Sequence, residues 1–393
     1  MNKLTINRQN GNIPKSLPGE DHVSGILFYI PSSSIPSGWN SSHVKTVSTI
    51  DRAESLGIED VDADEDVYVA MMHYHLKELF RVNPGIELYV GIFPNTGNAS
   101  TFAEVKTMQN FANGRIRQIG IWDGSREVSS TAIQTLQTVC DALDAENAPL
   151  VALLSSDCRT NLYQLPVNLA GEANRVSVVI GQSGSGEVEE MARAAHDDQL
   201  YMTVGGIGVV LGLVSKAAVN EQIGWVKKFP TGISLPAFVD GTLVREVDKA
   251  LISQLDNARY IFFTTYPGIA GSYVNDSHNM DSATSDYSSI EAVRTMDKAV
   301  RGIRTYVTPE LGGPLYIDKE SGKLQPYTVS HLESVANKVL EDMEKAGELS
   351  GYKVEIDPDQ NVLSTNTVEI LIKNVAVGVM RKININIGFY KNV

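Results

Sequence analysis

Five apolar runs, each of strand length and separated by longer polar or helical segments, constrain the first half of this chain more than any other feature. They are GILFYI (25–30), ELYVGIF (87–93), IRQIGIW (116–122), PLVALLS (149–155) and RVSVVIG (175–181). Near-continuous apolar runs of this kind, rather than alternating ones, mark strands buried on both faces. The segments 67–82 and 129–146 are amphipathic. In the second, Ile133, Leu136, Val139, Cys140 and Leu143 share one helical face. Strands alternating with helices predict right-handed βαβ units and a mainly parallel sheet covered on both sides. The glycine-rich segment 204–225 predicts a tightly packed helix, and FPTGISLPAF (229–238) reads as the way out of this α/β domain.

The second half has a different rhythm, α+β in character. A helix is expected at 243–256, a strand at RYIFFTTYP (259–267), and, after a polar segment, a helix from Ile290 to Tyr306. Turn signals at ELGGP (310–314) lead to a hairpin-like stretch around Lys319–Gly322. Over 329–346, Ser330 and Glu333 have the spacing of a capping box, Val329, Leu332, Val335, Ala336, Val339, Leu340 and Met343 line one face, and Gly347 stops the helix. Strands follow at GYKVEID (351–357) and TVEILIKNV (367–375). Beyond Gly378, Ile383, Ile385, Ile387 and Phe389 alternate with Asn384, Asn386, Gly388 and Tyr390, the period of a strand with one apolar face. Such a strand either completes its own domain's sheet or is donated to the sheet of another copy.

Charge narrows the functional classes. The formal net charge of −14 argues against general nucleic-acid binding, which needs clustered Lys and Arg. Residues 1–19 hold Lys3, Arg8 and Lys15 and no acid, and residues 370–393 hold Lys373, Arg381, Lys382 and Lys391 and no acid, so two basic ends flank an acidic body. Two cysteines, Cys140 and Cys158, make no disulfide framework and fit a reducing compartment. The opening MNKLTINRQNGNIPKSLPGE has no apolar h-region, and the longest apolar stretch, near Val204–Val214, is too short for a membrane span. A cytoplasmic product without membrane insertion is expected.

The strongest catalytic alternative is an α/β nucleotide-binding enzyme built at the carboxyl ends of the strands, using the loop GQSGSGE (181–187) with Asp123 and Asp157, and Cys158 nearby. The loop lacks the Lys-Ser/Thr of a Walker A motif and matches neither G-x-G-x-x-G nor G-x-S-x-G. DVDADEDV (60–67) starts like a calcium loop, but Glu65 stands where glycine belongs and Met71 where the bidentate Glu belongs, so it reads as an acidic helix start. His73 and His75 are two apart and have no cysteine pair. Arg294, Lys298, Arg301 and Arg304 or its neighbour form a helical stripe, either a solvated face or a docking surface for an acidic partner. No catalytic, cofactor or metal site is predicted.

The run SYVNDSHNMDSATSDYSSIEAVRTMDKAVRGIRTYV, then KAGELSGYKVEID, then VEILIKNVAVGVMRKININIGF, resembles contractile tail sheath proteins. It is most similar to the sheath-like family of phages and phage-derived contractile injection systems catalogued as a domain of unknown function. The resemblance is clearest over 240–393. It implies α/β plus α+β architecture: an outer domain with a mainly parallel sheet (21–240) inserted in a sheath-type α+β core (241–377), with extended β arms at 1–20 and 378–393. It implies a non-enzymatic subunit without cofactors, forming hexameric rings stacked helically around an inner tube, with baseplate and terminator proteins as further partners. Contraction would drive the tube through a target envelope, in a phage tail or phage-like particle. The C-terminal arm would be Met380–Tyr390, carrying Arg381, Ile383, Ile385, Ile387 and Phe389 between subunits. The N-terminal arm would fall within Leu4–Asn12. Helix 329–346 would lie near the inner tube with Glu333, Lys338, Glu341 and Glu344.

Overall fold

The computed structural model of the chain describes residues 20–95, 101–157, 162–198, 202–385 and 387–388. Each of the five apolar runs contributes to a strand. β1 (Ser24–Ile30) is buried at every position, as its composition requires, because it lies inside a six-stranded sheet. β2 (Val44–Val47), β3 (Leu88–Pro94), β4 (Gln118–Glu127) and β5 (Val151–Asp157) surround it in the order β2-β3-β1-β4-β5, and Val176–Val178 closes the far edge. All neighbours run parallel except β2, which pairs antiparallel with β3 at the other edge. The last run divides. Its first part joins the sheet, and Gly181–Ser183 turns off to pair antiparallel with Pro236–Phe238.

Alternation along β1 sends Ile26, Phe28 and Ile30 to one face and Leu27 and Tyr29 to the other. The first set packs on helices Val67–Val82 and Ile207–Lys216, the second on Ala103–Phe111 and Ser130–Ala145. The Val67–Val82 helix starts on Asp66, whose carboxylate accepts from the amides of Tyr68 and Val69 at 3.0 and 3.2 Å. His75 sits in this core and donates to the Val204 carbonyl at 3.0 Å; burial pushes its pKa down to about 3, so it is neutral. His73 lies instead beside Glu54, at 3.1 Å. The glycines of the Ile207–Lys216 helix have a packing reason: a Cβ at Gly208 would overlap the His75 carbonyl and sit 2.9 Å from its Cα. The two helices therefore touch backbone to backbone.

The strand expected at 259–267 is much shorter. Phe263–Thr264 pairs with Tyr273–Val274, and Ile261 bridges Val179 in parallel beside the main sheet. Ile261 and Phe263 go to one core, Tyr260 and Phe262 to the other, which accounts for the apolar run without a long ladder. Helix Ile290–Val307 then leaves this body and packs on helix Pro326–Lys345. The capping box at Ser330 and Glu333 does not form, because the helix begins a turn earlier at Pro326, with Gln325 as its N-cap. Proline's fixed φ and missing N–H suit the first helical position, and that preference wins over the Ser/Glu pair. The far end agrees with expectation: Gly347 takes a φ of +75°, the left-handed conformation that ends a helix.

Where the two helices cross, a Cβ on Gly302 would overlap the Val339 side chain, with Val339 Cβ itself only 2.8 Å away. Gly302→Val is therefore expected to destabilise this half by about 1–3 kcal/mol. Hydrogen exchange would show it as faster opening of 290–345 with unchanged protection of β1 and β4. Beyond these helices, Leu349–Glu355 and Leu371–Ala376 form an antiparallel hairpin with a bulge between Leu349 and Gly351. Leu349, Tyr352, Val354 and Ile372 pack with Ala299, Leu340 and Met343 of the helices. Among the described residues no helix is long and apolar enough to cross a membrane.

Candidate assembly site

The hairpin is a two-stranded sheet with one face covered, and both of its outer edges are unpaired among the described residues. A two-stranded ribbon is marginal alone, and open edges present unpaired N–H and C=O groups to any passing strand. Its outer face carries exposed Leu371 and Val375 beside a cluster of charge. Lys353 and Lys373 stand directly opposite each other, and Glu355 accepts from both, at 2.5 and 2.7 Å. Hydrogen bonds from Lys353 and then Lys373 hold the Glu355 carboxyl down at about 2, well below the usual carboxylate range.

Past Ala376 the chain makes no strand among the described residues. Ile383, Ile385 and Ile387 are 65%, 80% and 96% exposed, and Met380 is 76% exposed. The isoleucine side chains of the alternation are exposed, with no described residue covering them. Phe389, Cys158 and Leu4–Asn12 lie outside the described residues. Arg381 behaves differently from the isoleucines, because its guanidinium reaches Asp276 at 2.9 Å and Glu291 at 2.7 Å in the same chain. With Lys373 on Glu355, two of the cations counted in the basic C-terminal segment are thus neutralised within the subunit.

Of the four helix residues, Lys338, Glu341 and Glu344 are exposed and Glu333 is half-buried. Glu333 accepts from the Ile356 amide at 3.3 Å, and Lys338 lies 5.6 Å from the centre of the Tyr306 ring. Glu341 pairs with Lys345 at 2.5 Å.

The basic stripe on the Ile290–Val307 helix is turned inward at Arg294, Lys298 and Arg301 rather than presented there as a solvated or docking face. It is an internal junction. Arg294 is buried and donates to the carbonyls of Ala217, just past the end of the Ile207–Lys216 helix, and of Asp21, at 3.3 and 3.1 Å. A cation there suits the negative end of that helix, although burial lowers the Arg294 pKa to about 10. Lys298 and Arg301 each reach the Asp21 carboxylate at 2.8 Å. Burial alone would raise the Asp21 pKa; Lys298, with Arg301 and Arg294, outweighs it and holds it below the usual range. On the same helix Asp297 takes both arms of Arg175 from the α/β body, at 2.8 and 2.9 Å. Asp21, Asp276 and Glu291 escape a sequence reading because cap-like acids in polar segments look ordinary; only the fold brings cations to them.

The nucleotide alternative finds no support. Asp123 is buried, 3.3 Å from Arg126, and Asp157 lies at the end of β5. Gly184 is packed against Leu243 and Ala237, and the helix after the loop opens with Glu187, Glu189 and Glu190, which oppose a phosphate. Among the described residues no group of His, Cys, Asp and Glu has the geometry of a metal site.

Solved structures of contractile-sheath systems share this fold. A chain of the anti-feeding prophage baseplate superposes with a TM-score of 0.60 at 13% identity, covering 98% of each chain. A chain of the PVC sheath complex, an extracellular contractile injection system in its contracted state, gives 0.58 at 11% identity and 99% coverage of each. The sheath tail protein of Listeria innocua gives 0.52 at 9% identity, covering 90% of this chain and 95% of that one. No curated protein sequence matches. The chain belongs to the DUF2586 family, whose N-terminal domain matches residues 1–278 and whose C-terminal domain matches 286–393.

Proposed function

We propose that this protein is a structural subunit of a contractile tail sheath, polymerising helically around an inner tube and contracting to drive that tube through a target envelope. The observation that carries the reading is the likeness over the whole length, 98–99% of both chains, to the anti-feeding prophage and PVC proteins. In this reading the subunits form hexameric rings stacked into a sheath, with an inner tube protein inside and baseplate and terminator proteins at the ends. The body 21–240 faces outward, the core 241–377 faces the tube with the Pro326–Lys345 helix, and arms at 1–20 and 378–393 reach neighbouring copies. The exposed Ile383, Ile385 and Ile387 suit donation to a hairpin such as Leu349–Glu355/Leu371–Ala376, whose edges are open. Donation from copy to copy is a heterologous contact, which propagates into rings or helices. Such a subunit works by polymerising rather than by catalysis, in a phage tail or injection particle.

Negative-stain microscopy of the purified protein, alone and co-expressed with its tube protein, tests this. Striated tubes or stacked rings are expected. Discrete particles under both conditions would refute it.

A further inference from the structure

Two acids meet where the C-terminal segment leaves the hairpin. Asp276 precedes the Ile290–Val307 helix and Glu291 lies in its first turn, and both are buried. Neutral donors orient them. Gln222 gives Asp276 a hydrogen bond at 2.6 Å, the Ser277 amide gives it another at 2.7 Å, and the Ser277 hydroxyl donates to Glu291. These donors leave two buried negative charges that need a cation. Arg259 is close, but its guanidinium is committed to the carbonyls of Asn279, at 2.8 Å, and Ser288. His278 is nearby as well, its Nε2 3.3 Å from Asp256. Among the described residues the cation that hydrogen-bonds the two acids is Arg381, with Nε on both oxygens of Asp276 at 2.9 and 3.2 Å and Nη2 on Glu291 at 2.7 Å.

We propose that Asp276 and Glu291 form a socket for Arg381 of the same subunit, and that this clasp fixes where and in which direction the isoleucine segment departs. Arg381 is then a positioning residue. The free, donated segment starts at Lys382 and not at the Gly378 pivot. Its neighbours in sequence support the division: Met380 and Lys382 are exposed and the isoleucines beyond are uncovered, so Arg381 is held while the residues on either side are not. A guanidinium suits the task better than an ammonium, since its planar fork serves two carboxylates at once. The role in assembly rests on the sheath reading above; the clasp itself does not.

The test uses the full chain carrying Cys158→Ser, with spin labels at Asn384→Cys and, on the Lys249–Asn257 helix, Ser253→Cys. The buried Cys140 thiol, which burial pushes up to about 12, stays unlabelled. Pulsed dipolar spectroscopy of the unassembled subunit is expected to give one narrow distance distribution. Arg381→Gln should at least double its width, and Arg381→Lys should fall between. The pair Asp276→Asn/Glu291→Gln, which leaves no buried charge uncompensated, should broaden it like Arg381→Gln. In assembly, both broadened proteins should give shorter, irregular tubes. Distributions unchanged in both variants would overturn the clasp, and broadened distributions with normal tubes would overturn its positioning role. If the unsubstituted protein made no tubes, the sheath reading would fall while the distance measurement still judged the clasp.

Discussion

Removing residues 383–393 is expected to abolish tube formation while leaving the subunit's melting temperature nearly unchanged. The cut keeps Arg381 on Asp276 and Glu291, so no buried carboxylate is stranded. The isoleucines that are lost, 65–96% exposed, contribute to stability only at the level of surface substitutions, within about 0.5 kcal/mol each. In the assembly the same side chains would be buried against a neighbour's sheet, and backbone hydrogen bonds along the donated strand would be lost with them. Ile385→Asp should act similarly, because placing a carboxylate on that buried face costs several kcal/mol, roughly, while the lone subunit holds the position in water. Circular dichroism melting read beside negative-stain microscopy separates the outcomes. A truncated subunit that melts far below the full chain, or one that still builds normal tubes, would contradict the donated-strand reading.

The second large effect lies inside the subunit. Arg175→Met should destabilise the fold by about 3–5 kcal/mol, the usual result of breaking a buried pair from one side. Arg175 and Asp297 are both buried, and the guanidinium spans Asp297 with two bonds and Asp144 with a third at 2.9 Å. Methionine fills similar volume but leaves the Asp297 carboxylate in a dry site without its cation. Arg175→Met/Asp297→Leu should recover most of the loss, since replacing a whole buried pair by apolar groups is often near neutral. Denaturant midpoints for the two single variants and the double variant give the cycle. A single-variant loss under about 1 kcal/mol would show that the pair is solvated in solution.

What could be read in advance was what depends on local pattern. The sheet was legible because each run lies in a sheet covered on both faces and is therefore mostly apolar. The Ile383–Ile387 alternation predicts a strand, and among the described residues none forms there. β2 was missed because VKTV at a sheet edge carries only four residues and alternates too briefly. The capping box failed because two local signals competed and proline's was stronger. The charged side chains were the real blind spot. Arg294, Lys298 and Arg301 form a stripe in the sequence, but their partner Asp21 lies more than 270 residues away. The partners of Arg381 are 90 and 105 residues away. No window along the chain contains such pairs.

The Ile290–Val307 helix receives Arg381 at Glu291, and Asp21 at Lys298 and Arg301. If tension enters through the segments that lead to residues 21 and 381, both pulls meet on this one rod, within about three turns of each other. Part of the load would cross ion pairs in shear, and part would pass into the six-stranded sheet, because Gln118 of β4 donates to the Asp21 carbonyl at 3.0 Å. Loops of the α/β body away from this junction would then be free to lengthen without altering how hard a filament could be pulled.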